Sequence, residues 1–190
     1  SFSYEFSEFG DLVTAGKVDG AVGFVHRLKE GMETNFPIPL VTVKNLPYSL
    51  AVPYVLLTPV LAGVKLVCLQ VPKNISLDEA NRLADFLNNY LSVSKERVVL
   101  VAAGDLGHVR NDNLGEAKIF DQMFQSAIVS TDLERLINLD DELKNRVKDC
   151  LWSPTVLLYK ILSDAKVVTQ ICSYESPAGV GFLVANLILE

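Results

Sequence analysis

Val98-Val-Leu-Val-Ala-Ala-Gly-Asp-Leu-Gly-His-Val109 connects a run of apolar residues to a turn that carries an acid and an imidazole. The part from Arg97 to Ala103 is too short and too β-branched for a buried helix and is typical of a fully buried strand. Because ligands of open α/β sheets collect at the carboxyl ends of strands, Asp105 and His108 mark a candidate site. A lone histidine after a strand is more often structural than catalytic, so this segment alone leaves both interpretations open.

The residues before this segment predict a strand–helix–strand unit. Gly63 to Val71 has the composition of a strand and is followed by a proline. Ser76 and Glu79 have the spacing of a capping box, and apolar residues then repeat at helical intervals as far as Leu91. Such a unit is typical of a right-handed crossover between neighbouring strands. We therefore expect an α/β fold with three α/β/α layers around a central mixed sheet, formed by residues 1–190 as a single domain.

Shorter patterns predict the other elements. We expect strands at Val18–Val25, Leu40–Val43, Lys166–Tyr174 and Phe182–Leu189, and helices at Ala51–Leu57, Lys118–Val129, Thr131–Ile137, Asp140–Cys150 and Pro154–Leu162. The turn between the last two strands carries Glu175. This carboxylate is costly to bury unless it binds a cation or hydrogen-bond donors, and an exposed turn residue is the alternative.

Composition excludes several classes of function. The chain has 190 residues, 49% of them hydrophobic, and a net charge of −6 without a stripe of basic residues, so nucleic acid is not an expected partner. No apolar run has the length of a membrane span, and the first residues do not resemble a secretory signal, so we expect a cytoplasmic protein without membrane contact. The three cysteines and two histidines are too scattered for a structural zinc site.

Three short motifs lie in the second half of the chain: Ala102–His108, Phe120-Asp121 and Tyr174–Phe182. They resemble the (Ser/Ala)-Gly-(Asp/Gly)-Leu-Ser-His, Phe-Asp and Glu-x-Pro-x-Gly-x-Gly-aromatic motifs of the class III extradiol ring-cleavage dioxygenases, the family of the catalytic B subunit of protocatechuate 4,5-dioxygenase. Gly107 stands where serine is usual. Upstream, Phe6–Gly10 and Leu50–Tyr54 are similar to further pieces of the family pattern, so the resemblance covers nearly the whole chain.

The resemblance implies an oxidoreductase of aromatic catabolism. Members of the family cleave a catechol-type ring with O₂ at a non-haem ferrous iron, Fe(2+), which is held by two histidines and one glutamate. By this resemblance His108 is an acid–base residue and Glu175 is the carboxylate ligand of the metal. The family's two iron-binding histidines lie in an N-terminal region that has no counterpart here. We therefore expect the domain to be incomplete at its N-terminus.

Tyr48 aligns with the second active-site histidine of the family, and a phenol is a poorer base than imidazole at neutral pH. The candidate catalytic residues are thus His108 and Tyr48. Support for the pocket or its loop is expected from Asp105, which would orient the turn by accepting backbone N–H groups, and from Asn111 and Asn113.

Two functions remain open. In the first, the chain is a dioxygenase that acts on a small aromatic diol, with its missing ligands supplied by a preceding region or by a partner subunit. In the second, it is a catalytically inactive relative, similar to the Memo-type branch, that uses the fold for binding or assembly. A homo-oligomer is compatible with both.

Overall fold

The structure is a computed structural model that describes residues 1–33, 36, 38–41, 43–60, 63–109 and 114–190. The chain divides into two compact units, Ser1–Gln70 and Val71–Glu190. It combines helices with strands, as expected for the α/β class, and its described strands form two antiparallel sheets of two strands each. Among the residues described, no helix combines the length and the apolar character that crossing a bilayer requires.

The first unit is built on a β-hairpin and two helices. The elements are β1 (Phe2–Phe6), β2 (Asp11–Val18), α1 (Val22–Met32) and α2 (Tyr48–Leu57). Gly10, with φ of 84°, makes the left-handed turn between the strands, where a residue with a Cβ atom is strained. One core cluster of this unit consists of the buried side chains of Phe6, Val18, Leu46 and Ala51.

Two predicted strands of the first unit are corrected by this arrangement. β2 ends at Val18 and α1 begins at Val22, so the strand predicted over Val18–Val25 is wrong. Val18 is the last residue of β2, which pairs with β1, and the apolar residues from Val22 onward belong to α1. No strand includes the described residues of Leu40–Val43.

The described part of the second unit has five α-helices followed by a hairpin. The elements are α3 (Leu77–Ser92), α4 (Leu114–Val129), α5 (Leu133–Ile137), α6 (Asp141–Val147), α7 (Trp152–Ile161), β3 (Val167–Glu175) and β4 (Phe182–Leu189). The capping box of α3 is confirmed, because the Glu79 N–H donates to Ser76 Oγ at 3.2 Å and the Ser76 N–H donates to Glu79 Oε2 at 3.1 Å. α5 is capped by Asp132, whose carboxylate accepts the Arg135 N–H at 2.9 Å.

The core of the second unit is centred on α4. Phe120 and Phe124 of this helix are buried, and their neighbours include Trp152 and Val156 of α7. The β3–β4 hairpin covers the same core with one of its faces, through side chains such as Ile171. This packing holds the last hairpin against the helix that follows the His108 segment.

The strand–helix–strand unit is observed only in part. α3 forms as predicted, but in the described part of the chain neither Gly63–Val71 nor Arg97–Ala103 is a strand. Leu66 makes an isolated parallel bridge with Gly20. Val99 is 72% exposed and Val101 is 56% exposed, although both were expected to be buried. A strand requires a hydrogen-bonded neighbour as well as apolar residues, and no described residue provides one for this segment.

Candidate functional site

The turn that carries His108 lies directly against the turn that follows β3. His108 and Val180 form an antiparallel bridge. The Val109 N–H donates to the carbonyl of Gly179 at 3.1 Å, and the Gly181 N–H donates to the carbonyl of Gly107 at 2.9 Å. Backbone hydrogen bonds therefore bring together two segments that are far apart in the sequence.

Asp121 on α4 joins these two turns from the core side. Its carboxylate is fully buried and accepts two hydrogen bonds, from the Gly107 N–H at 2.9 Å and from the Tyr174 hydroxyl at 2.7 Å. Burial raises the pKa of Asp121 above its ordinary value. Burial also raises the pKa of Tyr174 to about 12, and the hydrogen bond to Asp121 acts in the same direction. The phenol thus stays a donor at every physiological pH.

Asp121 was part of a motif in the sequence but was not predicted as a site residue. The signal that could have indicated it is an acid between the buried aromatic residues of one helix, since such an acid needs donors from elsewhere in the chain. Its two donors are separated from it by 14 and 53 positions. A local pattern therefore contains no information about them.

Two glycines beside Asp121 have no room for a side chain. A Cβ atom on Gly181 would lie 2.2 Å from Asp121 Oδ2. A Cβ atom on Gly107 would lie 2.8 Å from the Cβ atom of Ala117. The glycine at position 107, where the similar family motif has serine, is therefore required by the close approach of α4.

His108 and Asp105 face each other across the turn. Nδ1 of His108 lies 3.5 Å from Oδ2 of Asp105, and the exposed fractions of the two side chains are 44% and 12%. The backbone of Asp105 holds the turn in place: its carbonyl accepts the N–H groups of Cys150 at 3.1 Å and Leu151 at 3.2 Å. Asp105 thus fixes the turn through its main chain, while its carboxylate contacts the imidazole.

The connection between α6 and α7 supports the turn from behind. The His108 N–H donates to the carbonyl of Val147 at 2.6 Å, and the Asp105 N–H donates to Sγ of Cys150 at 3.1 Å. In the same connection the buried carboxylate of Asp149 accepts the N–H groups of Leu151 at 3.1 Å and Trp152 at 3.2 Å, which caps α7. Burial raises the pKa of Asp149 to about 6.

The other predicted site residues lie in different places. Glu175 is the last residue of β3, where it pairs with Phe182, and its side chain is exposed. Tyr48 begins α2 in the first unit, and its ring contacts the ring of Phe9 with a centroid distance of 5.7 Å. Asn111 and Asn113 lie outside the described residues. The structure therefore brings His108 together with Asp105.

The described residues do not fit a complete ferrous centre. Within the ranges that the structure describes, no three histidine, cysteine, aspartate or glutamate side chains are grouped so that they could hold a metal ion. The whole sequence has two histidines. If His108 acts as an acid–base residue, only His26 is left, whereas the facial triad needs two imidazoles.

Neither a scan against protein-family models nor a search of curated proteins found a match to this chain.

The geometry defines a class of site: a half-exposed imidazole beside a largely buried carboxylate, on a turn that a second buried carboxylate anchors to the core. Such a pair is suited to proton transfer with a bound molecule.

Proposed function

We propose that this chain is an extradiol ring-cleavage dioxygenase-like domain, cytoplasmic, that supplies the acid–base imidazole and the pocket scaffold for a small aromatic diol and O₂. One observation supports this most strongly. The three motifs that carry the family resemblance meet at one buried carboxylate, because Asp121 binds the Gly107 N–H and the Tyr174 hydroxyl. If the three motifs resembled the family by independent coincidence, there would be no reason for them to contact one another in the structure.

In this proposal His108 accepts the proton of a phenolic hydroxyl, since its imidazole is half exposed and can reach a bound molecule. Glu175 is the carboxylate ligand of the iron. Neither histidine of the chain is assigned to the iron in this proposal, so both imidazole ligands come from a partner subunit or a longer form of the protein.

The proposal includes a central mixed sheet between two helical layers. The segment Arg97–Ala103 would become one of its strands once a neighbour pairs with it. Two features support this: the exposed side chains of Val99 and Val101 are apolar, and the bridge between His108 and Val180 already starts an antiparallel pairing beside β4. Slow amide exchange over this segment in the natural assembly, measured by hydrogen exchange, is the expected result, and fast exchange would contradict it.

The test of the function uses the natural full-length protein, with any subunit that copurifies, loaded with ferrous iron without oxygen and then mixed with a catechol and O₂. We expect formation of a ring-opened product, followed by its absorbance. His108→Gln should reduce the rate by roughly 10² to 10⁴ fold, whereas His26→Gln, the matched histidine control, should not. Iron-loaded protein that cleaves no catechol would remove the proposal.

A second candidate function, assembly by an inactive relative, is favoured by the outer face of the β3–β4 hairpin. Val168 pairs with Ile188 on this face, and Phe182 and Val184 lie along it, all of them exposed. Exposed apolar side chains along the outer face of a two-stranded sheet are typical of an interaction surface.

The assembly function has its own test. Val184→Lys places a charge in the middle of that face and should shift an oligomer toward the monomer in sedimentation velocity. The control is Asn89→Lys on the exposed side of α3 in the same unit, which should leave the oligomeric state unchanged. A protein that is monomeric at all concentrations, with and without the substitution, excludes self-assembly through this face.

A further inference from the structure

We propose that Asp105 is a positioning residue for His108: its carboxylate holds the imidazole with the proton on Nδ1, so that Nε2 is the atom that accepts a proton from the substrate. This inference rests on the proposed function for the identity of the proton donor, a phenolic hydroxyl of an aromatic diol. The tautomer itself is a property of the chain alone and is tested without substrate.

The distance and the exposure of the two side chains support this assignment. Nδ1 of His108 is the imidazole atom in contact with Asp105, at 3.5 Å from Oδ2. A carboxylate is an acceptor only, so a neutral imidazole in this contact is stabilised with Nδ1 as the donor. The pair is asymmetric in exposure, with 12% of the Asp105 side chain and 44% of the His108 side chain accessible. The carboxylate is therefore the more buried member of the pair, and the imidazole is the one that solvent reaches.

Both residues are held on a rigid turn. Asp105 is fixed through its backbone by Cys150 and Leu151. Between the two residues the turn is buried, and the Gly107 N–H is bound by Asp121. Because the turn holds both side chains in place, Asp105 and His108 need little reorganisation when the imidazole becomes charged. A small reorganisation energy is what an acid–base residue requires.

The proposed step transfers one proton. The O–H bond of the phenolic hydroxyl breaks, its electron pair stays on the oxygen, and the proton forms an N–H bond at Nε2 of His108. The resulting imidazolium lies beside the Asp105 carboxylate, which stabilises the positive charge. Other ionisable groups also lie at this turn: Asp121 accepts the Gly107 N–H, and the Cys150 thiol accepts the Asp105 N–H.

The experiment is nitrogen NMR of the protein labelled with ¹⁵N at histidine, recorded at alkaline pH where imidazoles are neutral. The chain has two histidines, and His108→Gln assigns the signals. We expect the shifts of His108 to show a protonated Nδ1 and an unprotonated Nε2. In Asp105→Ala the tautomer should change toward protonated Nε2, whereas the control Asp132→Asn, which keeps a capping oxygen on α5, should have no effect.

A wild-type spectrum with the proton on Nε2 would overturn the inference, and so would an unchanged tautomer in Asp105→Ala. The wild-type spectrum alone can contradict the inference, so the inference stays testable even if Asp105→Ala does not fold. Because no iron and no catechol are present, the outcome is independent of the test of ring cleavage: the tautomer can be correct in a protein that cleaves nothing.

Discussion

The hydroxyl of Tyr174 on β3 donates a hydrogen bond to Oδ2 of Asp121 on α4, at 2.7 Å. The other oxygen of the same carboxylate binds the Gly107 N–H in the turn of the candidate site. One buried acid thus connects the last hairpin, the central helix and the turn with His108. Each of these three elements depends on the other two for its position.

Replacing the phenol of this connection is expected to destabilise the second unit. Tyr174→Phe removes one of the two donors of a buried carboxylate, and we expect the free energy of unfolding to fall by about 1–3 kcal/mol. Urea denaturation measures this loss. In an Asp121→Ala background the same substitution should cost much less, because its partner is already absent. Equal costs in both backgrounds would show that the hydrogen bond contributes nothing.

A methyl group at position 181 is expected to be far more harmful than one at position 115. In Gly181→Ala the Cβ atom would lie 2.2 Å from Asp121 Oδ2, so the buried carboxylate has to move, and we expect a loss of at least about 2 kcal/mol. Gly115→Ala is the matched control on α4, where nothing lies within 4 Å of the added atom. It should stabilise the helix by about 0.5–1 kcal/mol. Thermal unfolding of the two variants separates these expectations, and similar midpoints would contradict them.

The similar family motif has serine at the position of Gly107. We expect this chain to tolerate serine there only if the side chain of Ala117 on α4 is made smaller. Gly107→Ser alone should cost about 1–3 kcal/mol, since its Cβ atom would lie 2.8 Å from the Cβ atom of Ala117. Ala117→Gly removes that atom at the cost of about 1 kcal/mol of helix propensity. The double variant should be more stable than the sum of the two single losses predicts. Strict additivity in chemical denaturation would show that this contact is unimportant.

Asp149 is expected to make the protein less stable as the pH rises from 4 to 7. Its pKa is raised by burial from 3.8 to about 6, so the folded state binds the proton more tightly than the unfolded state does. Its contribution is complete below pH 3.8 and is lost as the pH passes through about 6, which amounts to about 3 kcal/mol.

Asp149→Asn isolates this effect, because the amide oxygen can still accept the N–H groups at the start of α7. The variant cannot ionise, so its stability relative to the wild type should increase across this pH interval. Denaturant midpoints at several pH values provide the comparison. Two parallel curves would mean that the carboxyl group of Asp149 does not titrate with folding.

Local signals in the sequence account for most of the helices, but not for α1, part of which was predicted as a strand over Val18–Val25. The start of α3 was predicted because the Ser76–Glu79 capping box is complete within four residues, and both of its hydrogen bonds are present. The hairpin of β1 and β2 was missed, since its turn is a 3₁₀ segment ending at Gly10 and not a short pair of turn residues. Arg97–Ala103 was predicted as a strand from composition alone, but strand formation depends on a neighbour that composition does not specify.

The residues of the candidate site were likewise predicted where the signal is local in the sequence and missed where it is not. His108 and Asp105 were found because three positions separate them and a turn of small residues surrounds them. The contact between their side chains could not be read from that spacing, which is why Asp105 was expected to act on the backbone only. Asp121 was not recognised as a site residue because its donors come from other elements, and the fold alone brings them together.

The exposed valines at positions 99 and 101 have a practical consequence for anyone who produces this chain. A short β-branched stretch without charge, left unpaired, is a template for aggregation and a target for chaperones. Overexpressed alone, the chain is expected to accumulate in inclusion bodies. Val99→Lys, which places a gatekeeper charge on the most open of these side chains, should increase the soluble yield.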